Sequence, residues 1–427
     1  MRTSSYGHTV ANTRVESIMN ILMIWDRRPS PYSGTALPAF NVLKHLSRSH
    51  TIRLLYLNDD LAAPRSYPEL ERYCSQIDSV SWHPQSHSNK LLSVARDSCA
   101  PRKLFSDYRC FLTTAYLPAM ASLIQDVRHD KYDIVYASEP VAFYAWRFST
   151  PKVMHAFDCR SAEFYREYLR ARRSMDKLYW FCTYLATRSA EKKLLTAFDA
   201  TIVVNDREYH AMKMLCPEAK CAAVPNGVDT DFFKPLGISE EWPSLVFVGY
   251  MSSLPNIDAI KYFHSQVYDT LKRRFPNLKL FVVGQNPPPA IRALAKDPSI
   301  CVTGFVEDVR PYVARASVVI APFVSGMGIK NKVLEAMAMG KPVVTTSIGV
   351  RGINATPDAQ LCIADSPVEF ADQVEGLLLD KAKQQRIGRQ AREFVKKYHS
   401  WARVTDKIDA IFHEVQIGDV CCATRYF

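Results

Sequence analysis

Nowhere in these 427 residues does an uninterrupted apolar run reach the roughly 20 residues that a helix needs to span a bilayer, so a membrane-spanning helix is excluded. The first residues lack the charged start and apolar stretch of a secretory leader, and the expected location is the cytoplasm. The 11 cysteines form no C-x-x-C pair and no Cys/His cluster at zinc-ligand spacing. They read as reduced, mostly buried thiols. No G-x-G-x-x-G follows the first strand of either half, which argues against a nicotinamide dehydrogenase. No sequence period recurs, so a solenoid is excluded.

The composition is that of a globular protein, 48% hydrophobic, 23% charged and 11% aromatic, and the length suits two domains with separate cores. A formal charge of +11 favours anionic partners: nucleotide diphosphates, an acidic membrane surface or nucleic acid. Nucleic acid is set aside, because no recognised module presents the charge.

Apolar segments alternate with helical ones. Ile21 to Trp25 reads as a strand, the loop Asp26 to Gly34 leads to a helix over Ala36 to Leu46, and Ile52 to Leu57 is the next strand. Strand, helix and strand in so short a span begin a parallel α/β sheet. Further strands are predicted at 134–137, 152–157 and 200–204, with helical stretches near 115–128 and 162–196. A second series follows 226–243: strands at 245–249, 279–283, 300–303, 317–321 and 343–346, with helices at 257–275 and 309–316, and two or three helices over 368–415. The fold class is therefore α/β, two Rossmann-like domains facing each other across a cleft, with ligand bound outside the carboxyl ends of the strands.

The most informative segment runs from Gly326 to Val344: a glycine-rich turn, a short helix opening on Lys330 and Lys332, a stop at Gly340 and a new strand from Pro342. Such a turn aims backbone N–H groups at the positive end of a helix, where a diphosphate can sit. Lys332 and Glu335 are three apart and share a helix face. One suits a phosphate, the other a sugar hydroxyl. The plainer alternatives are an exposed lysine and a solvated carboxylate.

Four motifs in order, Val224 to Asp229, Val246 to Gly249, Val302 to Asp308 and Glu335 to Val344, resemble family 4 retaining glycosyltransferases of the GT-B fold (glycosyl transferase group 1), and within it a bacterial branch that builds surface polysaccharides. The opening Arg28 to Gly34, with Asn41 to Leu46 behind it, is similar to that family's acceptor-side loop and helix.

The resemblance implies an enzyme, hexosyltransferase-like in EC 2.4, that moves a sugar from a nucleotide-sugar donor to a hydroxyl of a glycan or lipid-linked saccharide. The reaction would be retaining and metal-independent, with no cofactor and the donor as substrate. Lys332 is the expected catalytic cation, and Asp158, which with Arg160 lies in the polar tail of the strand from Lys152 and should open into the cleft, is a catalytic candidate for contacting the acceptor or the transferred sugar. By the same likeness, Gly249, Gly304, Phe305, Val306, Gly326, Met327, Gly328, Ile329, Lys330 and Glu335 bind the donor, with Gly304 to Val306 around its base. Gly34 and Arg160 lie on the acceptor side, although Gly34 also reads as an ordinary turn glycine. The implied domains are a flexible extension (1–18), an acceptor-side domain (19–227), a nucleotide-sugar domain (228–395) and a C-terminal helix crossing back with a tail (396–427). The basic segment 383–403 is the expected crossing element.

Three positions depart from the family's pattern. Met327 stands where many members have a glutamate, and Tyr250 and Pro255 stand where basic residues often face phosphate, so Lys330 and Lys332 are the expected replacements. His155, alternating with Val153 and Phe157 on one strand face, reads as a packed core histidine. Asp158 and Ser161 serve equally well as helix caps. Residues 164–193 interleave arginine and lysine with aromatics. They read as a solvated face over an apolar stripe, or else as a surface for anionic lipid at the inner face of the membrane. Two other functions fit the same features: a nucleotide-sugar epimerase, and a non-catalytic subunit of a polysaccharide assembly.

Overall fold

Two runs of apolar, β-branched segments build two parallel sheets. The computed structural model describes residues 17–31, 36–58, 68–81, 118–139, 141–326 and 328–418. The first sheet holds β1 (Asn20–Trp25), β2 (Thr51–Asn58), β3 (Gln76–Ser81), β4 (Ile134–Ser138), β5 (Lys152–Ala156), β6 (Ala200–Val203) and β7 (Cys221–Ala223), in the order β3-β2-β1-β4-β5-β6-β7. The second holds β8 (Ser244–Val248), β9 (Lys279–Val283), β10 (Ile300–Gly304), β11 (Val318–Ala321), β12 (Val343–Thr345) and β13 (Cys362–Ile363), in the order β10-β9-β8-β11-β12-β13. Each order reverses direction once, between β1 and β4 and between β8 and β11. At those two points crevices open above the strand ends.

The helices that matter for the site are α1 (Leu37–Leu46), α2 (Pro118–Asp126), α3 (Arg160–Arg170), α4 (Ser174–Ala197), α5 (Asp206–Leu215), α6 (Leu254–Phe263), α7 (Asn331–Ala338), α8 (Lys381–Tyr398) and α9 (Trp401–Ile417). The predicted helix over 162–196 is two helices, α3 and α4. Ala171 leaves α3 in an extended conformation, and Arg173 enters α4 the same way. The predicted helix over 257–275 is continuous in direction but passes through a π turn at His264–Tyr268.

The crossing element also needs correcting. Most of the basic segment 383–403 is α8, whose Ile387, Ala391 and Val395 are buried in the second domain's core. The return to the first domain is made by α9, whose Trp401, Val404, Ile408, Ile411, Phe412 and Val415 join Met19, Ile21 and Tyr136 in one core. Burying apolar surface decides which helix docks where, and α8 spends its apolar face within its own domain.

α8 lies so close to the end of α7 that a Cβ on Gly388 would stand 2.0 Å from the Gly340 carbonyl oxygen. Gly388→Ala is therefore expected to cost about 1–3 kcal/mol through forced repacking. Denaturant unfolding measures it, and an unchanged midpoint would contradict so tight an approach.

The chain passes between the domains twice, at one place. Val228 N–H donates to the His399 carbonyl at 2.7 Å, Val228 pairs with Ser400 in a parallel bridge, and the Asn226 carbonyl lies 3.1 Å from His399 Nδ1. The Trp401 ring packs against Gly227, where a Cβ would come within 2.6 Å of it.

Candidate active site

The carboxyl ends of the two sheets face each other across a cleft of about 670 Å³, within the size range of small-molecule sites. The first domain contributes Asp26 and Arg27 at the end of β1, Pro31, Leu37 and Pro38 ahead of and within α1, and Phe157, Asp158 and Arg160 after β5. Asn226 lines it from the crossing strand. The second domain contributes Val248, Gly249 and Tyr250 after β8, Ser253, Pro255 and Asn256 at the start of α6, and Gly328 to Lys332 with Glu335 around the start of α7.

Lys332 is the centre of the second domain's half. Its ammonium donates to Asn256 Oδ1 at 2.6 Å and lies 4.8 Å from the Phe247 ring centre and 5.2 Å from that of Phe323. Asn256 is fixed in turn by donating Nδ2–H to the Tyr250 carbonyl at 2.8 Å. Room for this arrangement comes from Gly249, where a Cβ would stand 2.5 Å from Lys332 Nζ. Gly284, at the end of the neighbouring strand, is as constrained: its φ is +148°, and a Cβ there would strike the Gly249 carbonyl.

The cleft reaches the tips of Lys332 and Glu335, so accessible area leaves both half-buried. The depth of protein around them nevertheless governs their protonation. Burial pushes the Lys332 ammonium down to about 7, opposed by Glu335 and reinforced by Lys330. Burial pushes the Glu335 carboxyl up to about 7, with Lys332 pulling the other way. Lys330 is lowered to about 8, chiefly by burial and then by Arg351, and its ammonium also approaches the Phe323 ring, at 5.4 Å. Lys330 is the N-cap residue of α7, so these ammonium groups stand at the positive end of a helix. In its first turn Val333 N–H already donates to the Lys330 carbonyl at 2.8 Å; the N–H groups that begin a helix otherwise lack an intrahelical partner. Two cations held below their ordinary pKa in an anion-shaped crevice are signs of a functional site.

On the facing wall, Asp158 is half-buried and raised by burial, with Arg160, Lys330 and Arg207 opposing the rise. The attraction to Lys330 spans the cleft. The backbone beneath Asp158 and Arg160 is held by two buried carboxylates from other helices. Cys159 N–H donates to Glu208 Oε2 of α5 at 2.7 Å, and Ser161 N–H donates to both carboxylate oxygens of Glu191 in α4, at 3.2 and 3.3 Å. Neither Asp158 nor Ser161 caps α3 through its side chain. Glu139, 2% exposed, follows β4 nearby with Oε1 unpartnered among the described residues. Burial, then Glu191, pushes its carboxyl up. His155 lies in the core, 2.5 Å from the Tyr136 hydroxyl, and burial lowers it to about 3; it is neutral and does not line the cleft.

Of the predicted site residues, Asp158, Arg160, Gly249, Gly328, Ile329, Lys330, Lys332 and Glu335 come together here. Gly304, Phe305 and Val306 do not line the cleft. Gly304 ends β10, the edge strand of its sheet and two strands from the reversal point, Phe305 and Val306 follow it, and Phe305 is 71% exposed. Gly326 turns with φ +107° beneath Pro255 rather than lining the cavity. Gly34 and Met327 lie outside the described residues. Tyr250 and Pro255 do line the cleft, so the missing basic groups there leave Lys330 and Lys332 as that wall's cations. Sequence reasoning missed Asp26, Arg27, Asn226, Asn256 and Gly284. The ends of β1 and β9 were legible as apolar runs followed by a polar residue or glycine. Asn226 sits within the Val224 to Asp229 motif without having been singled out, and Asn256 carries no signal of its own.

Among the described residues, no group of three or more His, Cys, Asp or Glu side chains is placed to hold a metal ion, and no helix is long and apolar enough to cross a membrane.

Residues 242–380 match the family described as Glycosyl transferases group 1. Over 241 residues the chain is 23% identical to a Klebsiella pneumoniae protein described as an uncharacterized 44.6 kDa protein in the cps region, a match covering 54% of this chain and 61% of that protein. Sucrose-phosphate synthase from Thermosynechococcus elongatus superposes with a TM-score of 0.63 at 15% identity, covering 93% of this chain and 99% of that one. HepE from Anabaena, solved in complex with UDP, gives a TM-score of 0.63 at 15% identity over 93% of this chain and 100% of that one. The fold is thus the two-domain GT-B arrangement, as expected from the sequence.

Proposed function

We propose that this chain is a glycosyltransferase, because residues 242–380 match the glycosyl transferases group 1 family and sit on a GT-B scaffold. It moves a sugar from a nucleotide-sugar donor to a hydroxyl of a glycan or lipid-linked saccharide, with retention at the anomeric carbon and without metal or cofactor. The observation that carries the reading is Lys332: an ammonium pushed down to about 7, pinned beside a strand-end glycine at a helix N-terminus, and open to a cleft of nucleotide-sugar size. The structure of HepE in complex with UDP-glucose makes a uridine donor the first choice to test, and the relative in a cps region supports a polysaccharide product.

In this reading the diphosphate lies over Gly249 and the first turn of α7. Lys332 and Lys330 meet the charge that grows on the leaving phosphate oxygen, the arrangement that lowers such barriers most. Glu335 accepts hydrogen bonds from the ribose hydroxyls. The bond between the anomeric carbon and the phosphate oxygen breaks, its electron pair leaving with the diphosphate. The acceptor oxygen bonds to the same face, and its proton passes to the departing phosphate oxygen. Asp158 and Arg160 orient the transferred sugar or the acceptor. Closing the cleft excludes water that would hydrolyse the donor. The reaction belongs at the cytoplasmic face of a membrane if the acceptor is lipid-linked.

A thermal-shift series tests the donor site, because a ligand that binds only the folded state raises the melting temperature with its affinity and concentration. UDP and UDP-glucose are expected to raise it and NAD to leave it unmoved. Stabilisation by no nucleoside diphosphate would sink the proposal. Nucleotide release that requires an acceptor supports transfer, whereas isomerised donor without acceptor would make the chain an epimerase.

A further inference from the structure

The α3–α4 hairpin is rooted in the first domain through the buried Ala190, Leu194 and Leu195, and its outer part is exposed. Its helices are joined to each other by stacked and tilted ring pairs: Phe164 with Trp180 at 5.7 Å, Tyr165 with Tyr184 at 5.1 Å, and Tyr168 with Phe181 at 5.4 Å between centres. That aromatic seam accounts for the hairpin's own packing. It leaves the apolar side chains at the tip without a role in the fold: Leu169 is 61% exposed, Met175 74% and Leu178 57%. All eight residues from Arg172 to Tyr179 are exposed.

The charge at the tip is one-sided. From Leu169 to Leu178 there are four basic residues and a single acid, Asp176; Arg170 is paired with Glu167 at 3.0 Å, which leaves Arg172, Arg173 and Lys177 as the outward cations. Exposed Leu and Met ringed by arginine and lysine match the two layers of an anionic bilayer, headgroup phosphates outside and acyl chains beneath. A second copy of the chain would set these cations against their like, which association disfavours.

We propose that this tip docks the protein on an anionic phospholipid surface, Leu169, Met175 and Leu178 entering the boundary between headgroups and acyl chains while Arg172, Arg173 and Lys177 engage phosphates. α3 starts at Arg160, which lines the cleft, and its 11 residues put the tip roughly 16 Å away along the axis. The cleft therefore opens within reach of a lipid-borne sugar, a link that rests on the glycosyltransferase reading; the docking itself does not.

The test is co-sedimentation of the full chain with phosphatidylcholine vesicles, with and without phosphatidylglycerol. Binding is expected only with phosphatidylglycerol and is expected to weaken with salt. Two variants, L169S/M175S/L178S and R172E/R173E, are each expected to lose more than tenfold in partition coefficient. Both should keep the wild-type thermal shift with UDP, which shows that they fold and keeps this result separate from that of the donor site. No binding to phosphatidylglycerol vesicles, or equal binding by both variants, overturns the proposal. So does a concentration-dependent dimer that the serine variant abolishes, since a second copy would then cover the tip.

Discussion

Lys332→Met is expected to lower kcat/KM for sugar transfer by about a thousandfold while leaving the melting temperature unchanged or raised. The loss follows from removing a fixed cation from the place where the leaving diphosphate gathers charge; deleting one prearranged donor of this kind typically costs 10²–10³ in rate, and the change from charged to apolar belongs at the upper end. The gain follows from the empty protein. An ammonium pressed down to about 7 by burial is destabilising when charged, and an apolar side chain of similar length removes that cost. A lysine kept for the fold would give the opposite pair of results. Steady-state kinetics with the stabilising donor, together with a melting curve, decide it. A variant that melts well below wild type, or that keeps most of its activity, contradicts the role assigned to Lys332.

Donor affinity is expected to fall by about tenfold or more between pH 7 and pH 9. In the empty cleft Lys332 loses its proton near 7 and Lys330 near 8. A bound diphosphate favours the charged forms and lifts both values towards the ordinary lysine range. Below pH 7 the lysines are already charged before binding and the affinity is at its plateau. Above pH 7 binding must take up a proton, and above pH 8 a second, so each step upward in pH weakens it. UDP-glucose is the suitable probe, because its diphosphate does not titrate in this range. Calorimetry in buffers of different ionisation enthalpy should show proton uptake directly. Lys332→Arg should flatten the profile, since a guanidinium stays charged throughout. An affinity independent of pH across this interval would mean that neither lysine meets the diphosphate.

Much of this was written in local patterns. The i, i+3 spacing of Lys332 and Glu335 placed both on one face of α7, and the glycine turn before it announced where the helix begins. The strand series, with its loops of polar residues, was enough to name two parallel sheets. The misplaced elements share a cause: they depend on what a segment packs against. The charge pattern of 383–403 reads as an amphipathic helix ready to cross over, but its apolar side is satisfied within the second domain, and the crossing falls to the next helix, which carries Trp401 and Phe412. The break at 171–173 was hidden because basic and aromatic residues continue on both sides of it. Residues 304–306 lie at a strand's end as Gly249 does, yet position in the sheet order, not the local sequence, keeps them out of the cleft. Glu191 and Glu208 hold the backbone under Asp158 and Arg160 from 30 and 49 residues further along, a partnership visible only once the chain is folded.

The paired passages at Asn226–Val228 and His399–Trp401 act like the spine of a book. Since both connections run along one line, stitched by the bond from Val228 to His399 and with the tryptophan wedged against Gly227, the expected freedom of the two covers is rotation about that line rather than sliding or twisting. A swing of this kind moves atoms in proportion to their distance from the spine. The meeting of Asp158 with Lys330 across the opening is thereby geared to the same angle as the grip of Lys332 on its anion, so that one hinge coordinate sets both sides of the reaction at once.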